Sequence, residues 1–170
     1  MCHYYSVLDD KRISRHIKPA NMSFFKTPFV RMLPAQVLDV HATADAEFTD
    51  WLPLSTSQPL LSDPMKRIIE LYNTQARFKQ VYLVNRELSR QELYWIPSVT
   101  SVDGISEQTE FYAHDQTLKH LVLDSQKVKE HHFFRLSGVR EPYFIVSLEA
   151  AESLLRRSLS GFQLQKLEIL

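Results

Sequence analysis

Histidine is the residue type with the most chemistry to offer in this chain. His131 and His132 are adjacent, Glu130 precedes them, and His114 and His120 lie upstream. An imidazole near neutral pH can serve as a general base, a proton shuttle or a metal ligand. A metal ion needs three or four such groups converging, and neighbouring residues of an extended chain point to opposite faces, so His131 and His132 do not readily share one ion. One histidine packed beneath a sheet and the other at the surface is the expected arrangement. Cys2 is the single cysteine. Exposed by loss of Met1, it would be an N-terminal thiol able to act as nucleophile and base in one residue, but the sequence supplies no partner for it, and a structural thiol is the simpler reading. Glu107 and Glu110 could form a glycosidase-like carboxylate couple, although solvated loop acids explain them more economically. There is no Gly-x-Ser-x-Gly elbow, and three glycines are too few for a phosphate-cradling loop. No catalytic residues, no metal site and no cofactor are expected. A small enzyme survives as the alternative only if His114, His120, His131 or Cys2 meets carboxylates in a pocket.

The elements that would have to position such groups follow from pattern. Residues 3–8 suit an opening strand, 9–12 a turn, and 13–21 a polar crossing segment whose Pro19 limits any helix. Phe24-Phe25, Phe29-Val30 and Met32-Leu33, broken by Pro28 and Pro34, read as extended chain laying aromatic side chains on the core. Residues 36–41 read as a short strand and 45–59 as a loop, with Trp51 either a core plug or an exposed contact. Asp63 as N-cap, Pro64 at the first helical position, and Met65, Ile68, Ile69 and Tyr72 on one face predict a helix ending near Asn73. Residues 78–85 and 92–99 form a hairpin across a charged connection, with Pro97 at an edge or bulge.

Residues 101–108 read as a loop around Asp103-Gly104. Phe111-Tyr112 is strand-like, residues 118–123 are a strand or a short helix, and 124–130 form a charged approach. Phe133 to Leu136, a turn through Gly138, and Tyr143 to Val146 make two strands that lead into a helix capped by Ser147. Glu149 and Glu152 near its start and Arg156 and Arg157 near its end match the helix dipole, with Gly161 as the stop and Leu148, Ala151, Leu154 and Leu155 as the buried stripe. A bulged final strand closes the chain. The fold class expected is α+β, a mostly antiparallel sheet with two or three helices packed against it, in a single domain spanning residues 1–170.

Composition narrows the function classes. A chain of 170 residues can bury a core without disulfides or a structural metal, and 44% hydrophobic content with 24% charged residues is ordinary for a globular protein. No apolar run is long enough to span a membrane, the first ten residues lack a secretory pattern, and one cysteine fits a reducing compartment, so a cytoplasmic protein is expected. Net charge is zero. Residues 1–31 hold Lys11, Arg12, Arg15, Lys18, Lys26 and Arg31 against Asp9 and Asp10, whereas residues 32–65 hold Asp39, Asp45, Glu47, Asp50 and Asp63 with no lysine or arginine. Residues 101–124 are acidic again, with Lys119 their only lysine or arginine. A nucleic-acid binder would show a basic stripe, so neither nucleic acid nor membrane is an expected partner. Acidic segments that met on one face would favour a basic protein.

Several local motifs together resemble a known family. They are Ser62-Asp63-Pro64-Met65-Lys66, Tyr94-Trp95-Ile96-Pro97, Leu121-Val122-Leu123-Asp124, His132-Phe133-Phe134-Arg135-Leu136, Ile145-Val146-Ser147 and Ala151-Glu152-Ser153-Leu154-Leu155. The chain is similar, over residues 60–168, to immunity proteins of bacterial polymorphic toxin systems and to related domains of unknown function. The resemblance implies a non-catalytic protein that binds and neutralises a cognate toxin domain, and it carries no catalytic residues over. As a binding module the chain would present Asp45, Glu47, Asp50 and Trp51 to a basic toxin domain. A structural or regulatory subunit, homo-oligomeric through the Pro97 strand, is the remaining reading.

Overall fold

The computed structural model describes residues 2–14, 17–55 and 58–170. Met1, and Arg15, His16, Thr56 and Ser57 from the expected crossing segment and loop, lie outside the described residues. The first half of the chain runs β1 (Tyr4–Asp9), β2 (Ile17–Pro19), 3-10 turns at Met22–Lys26 and Phe29–Arg31, β3 (Ala35–Ala42), β4 (Trp51–Leu52), β5 (Leu60–Leu61), α1 (Asp63–Tyr72), β6 (Arg77–Asn85) and β7 (Arg90–Ser98). The second half runs β8 (Ser101–Val102), β9 (Glu110–Phe111), β10 (Leu118–His120), β11 (Val122–Leu123), α2 (Ser125–Val128), β12 (Phe133–Leu136), β13 (Phe144–Ser147), α3 (Leu148–Arg156), β14 (Phe162–Lys166) and β15 (Glu168–Ile169).

The molecule is mostly sheet with few helices, and its sheets are mixed rather than purely antiparallel. A six-stranded sheet has the order β2-β3-β6-β7-β5-β4 and a five-stranded sheet the order β14-β1-β13-β12-β8. Most pairs are antiparallel, but β3–β6, β8–β12 and β11–β15 are parallel. Each parallel pair is separated by intervening elements long enough to return the chain to the same end of its sheet, as parallel neighbours require. Pattern alone did not register those crossovers.

The α1 face is as expected, with Met65, Ile68 and Ile69 buried, but the cap shifts by one residue. Ser62 is the N-cap, its Oγ accepting from the Met65 N–H, and Asp63 is the first helical residue. In α3 the buried residues are Ala150, Ala151 and Leu154, while Leu155 is exposed. Helices α1 and α3 share a core with Trp51, Phe133, Phe144 and Val146. Gly161 is not the helix stop. Helix α3 ends at Arg156, and Ser158 takes the left-handed conformation after it. Gly161, at φ +96°, serves a close approach instead: a Cβ there would lie 2.2 Å from the Trp51 carbonyl oxygen.

Other segments also differ from pattern. The Phe24 to Leu33 region is not simply extended, because the Asn21 side chain accepts from the Ser23 N–H and starts a 3-10 turn. Phe24, Phe25, Phe29 and Met32 still pack on the core of the six-stranded sheet. The polar crossing segment contains β2, and residues 124–130 contain α2, capped by the Asp124 carboxylate. The closing strand changes sheets at Leu167, β14 pairing with β1 and β15 with β11. Strand β7 lies between β6 and β5, but β5 pairs with it only at Trp95; Pro97 lies beyond that contact, where the Gln58 amide donates to its carbonyl. Among the described residues, no helix is long and apolar enough to cross a membrane.

Candidate functional site

His114, His120 and His131 each have a separate neighbour. His120 meets Glu168 at 2.6 Å, His114 meets Asp115 at 3.3 Å, and the His131 ring lies 5.7 Å from that of Phe134. Cys2 is exposed. Glu110 pairs with Lys119 at 2.7 Å, an exposed pair of small energetic value. Among the described residues, no three of His, Cys, Asp and Glu come together as metal ligands.

His132 has the arrangement that most resembles a catalytic one. Its Nδ1 lies 2.9 Å from Ser147 Oγ and 3.8 Å from Glu149 Oε2. A hydrolytic triad uses both ring nitrogens, one for the nucleophile and the other for the acid, whereas here both groups face the same nitrogen. Ser147 is also 3% exposed and caps α3 by accepting from the Ala150 N–H. The Glu149 carboxyl is held below its usual range by its own backbone N–H, then by the Ser147 hydroxyl, with His132 adding to the effect. This cluster starts a helix.

The residues nominated from sequence divide into two pairs. Asp45 and Glu47 are exposed on the connection between β3 and β4, where Thr43 Oγ1 donates to Asp45. Asp50 turns inward and accepts from Ser62 Oγ at 2.6 Å and from the Ser160 N–H at 2.8 Å, tying the start of α1 to the approach to β14. Trp51 is a core plug at 3% exposure, its indole N–H donating to Asp9 Oδ1 at 2.9 Å and its ring edge-on to Phe144. The second acidic segment is similarly engaged. Asp103 faces Lys127, and Asp115 lies below its usual range because the Thr117 N–H and then its hydroxyl donate to it.

Sequence reasoning missed a cleft of about 460 Å3 at the end of the six-stranded sheet where β6 begins. Its walls come from four separated stretches: the second 3-10 turn, α1, the start of β6, and Trp95 of β7. Lys66 lies 4.4 Å above the Trp95 ring and pairs with Glu70 at 2.6 Å. Lys79 sits 4.7 Å over the Phe29 ring and donates to the Phe29 and Met32 carbonyls. The Arg77 guanidinium carbon lies 5.8 Å from the same Phe29 ring. The alternation Arg77-Phe78-Lys79 was the only local hint, and it resembles any strand end.

A model of the immunity protein family Imm11 matches residues 7–168. The match begins within β1 and so includes residues 7–59, for which the local motifs offered no counterpart. No curated protein matches the chain.

Proposed function

Because the chain belongs to the Imm11 immunity protein family, we propose that it binds and neutralises a cognate toxin domain by occupying the toxin's surface. The family match across nearly the whole chain carries this reading. The separate partners of His114 and His120, and the use of the buried Ser147 hydroxyl as the cap of α3, support it over a hydrolytic role.

In this reading Asp45 and Glu47 are rim charges that steer a basic region of the toxin, and Asp50 and Trp51 hold their loop from beneath. Rim charges act mainly on the association rate. Co-expression with the product of the adjoining gene tests the proposal: wild type should co-purify with that product and restore growth of cells expressing it. Failure of both would refute toxin binding. Reversal of Asp45 and Glu47 to lysine should slow association several-fold and leave a complex that still forms; an unchanged rate would remove these two residues from the interface.

A further inference from the structure

The cleft at the start of β6 carries positive charge that its surroundings do not balance. Lys66 is neutralised by Glu70. Lys79 donates to two backbone carbonyls, which orient the ammonium without cancelling its charge. The Arg77 side chain makes no hydrogen bond or ion pair among the described residues, and its guanidinium is placed over the face of Phe29. Two uncompensated cations therefore share one aromatic ring beside a cleft with room for a side chain. Stacking on the ring limits the freedom of the guanidinium, so less order is lost when its planar fork takes a carboxylate through two hydrogen bonds.

One side of the cleft is aliphatic. Val30 lines the cleft and is 75% exposed, and Leu33 and Val37 follow along the chain at 67% and 60%. Large apolar side chains this exposed and this close in sequence suit contact with another protein and offer little to a phosphate backbone. The cleft also contains none of the chain's three glycines, so it lacks a glycine-built phosphate cradle.

We propose that this cleft seats an acidic side chain, an aspartate or glutamate flanked by apolar residues, on a loop of the toxin. The inference rests on the toxin-binding reading above and adds the place and chemistry of the contact. Arg77 and Lys79 receive the carboxylate, Phe29 forms the floor, and Val30 covers the flanking apolar residues.

The test uses the full chain, the product of the adjoining gene and the Arg77→Glu variant. Affinity should fall at least about thirty-fold, as for loss of a desolvated interfacial charge pair, while the melting temperature holds. Carbodiimide treatment of the wild-type complex should join Lys79 or Lys66 to an acidic residue of the toxin, identified by mass spectrometry. Wild-type affinity in Arg77→Glu together with no such cross-link would overturn the cleft assignment and leave toxin binding intact. No wild-type complex at all would overturn both. If Arg77→Glu instead abolished binding of a labelled single-stranded oligonucleotide and spared the toxin complex, the occupant would be nucleic acid and the proposal would be wrong.

Discussion

The two ends of the six-stranded sheet use charge in opposite ways. At the end where β3 finishes, acidic residues are prominent in sequence, yet most of their charge is engaged internally. Asp39 meets Arg86 at 3.1 Å, Glu87 lies 3.9 Å from His41, and Glu92 pairs with Arg90. Asp50, further along the same segment, joins α1 to Ser160. At the other end, nothing in the sequence stands out, yet Lys79 and Arg77 converge on Phe29 without a counter-charge. A run of like charge in sequence therefore says little about available charge, because each member can find a partner when the chain folds. Side chains brought together from distant stretches show their surplus only in three dimensions.

Stability measurements on matched substitutions can break this comparison. The largest effect belongs to Trp51→Ala, which should cost about 3–5 kcal/mol through loss of a buried ring, whereas half-buried Trp95→Ala in the cleft should cost about 1–2 kcal/mol. Chemical denaturation of the two variants compares them, and equal losses would mean that Trp95 is as structural as Trp51. Asp50→Ala should follow at about 1.5–3 kcal/mol, because Ser62 and Ser160 lose a charged acceptor. Asp45→Ala and Arg77→Ala, both at exposed positions, should stay within about 0.5 kcal/mol of wild type in the same assay.

Alkaline pH provides an internal reference from the other sheet. Burial, reinforced by the charges of Cys2 and Glu149, pushes the Tyr4 phenol from 10.0 to about 12, and its hydroxyl donates to the Val128 carbonyl. The folded state thus favours the neutral phenol. Its contribution is fully present below pH 10 and is lost progressively as pH rises toward about 12, because the unfolded chain ionises first. Melting curves between those limits should fall less steeply with pH for Tyr4→Phe than for wild type, and equal slopes would show that Tyr4 does not contribute this dependence.

Local signals made a good part of the fold legible. The α1 face, the β6–β7 hairpin and the β12–β13–α3 unit depend on periodicity and capping within a short stretch. The α3 stripe was misread because Leu148, Ala151, Leu154 and Leu155 satisfy helical spacing, but Ala150 faces the core and Leu155 faces solvent. Gly161 was misread because a glycine after a helix usually serves its end, and its approach to Trp51 crosses more than a hundred residues. The candidate surface was less legible still. Exposure separates Asp45 and Glu47 from Asp50 and Trp51, and sequence does not contain it; the cleft joins Phe29, Lys66, Arg77 and Trp95 through tertiary packing alone.

Hydrogen exchange of the free chain and of its complex with the adjoining gene's product locates the surface that the toxin covers. Binding should slow exchange most in residues 29–37 and 76–80, around the cleft, with a smaller effect in residues 43–48 near Asp45 and Glu47. Protection confined to residues 43–55, with the cleft segments exchanging as in the free protein, would mean that the toxin does not occupy the cleft.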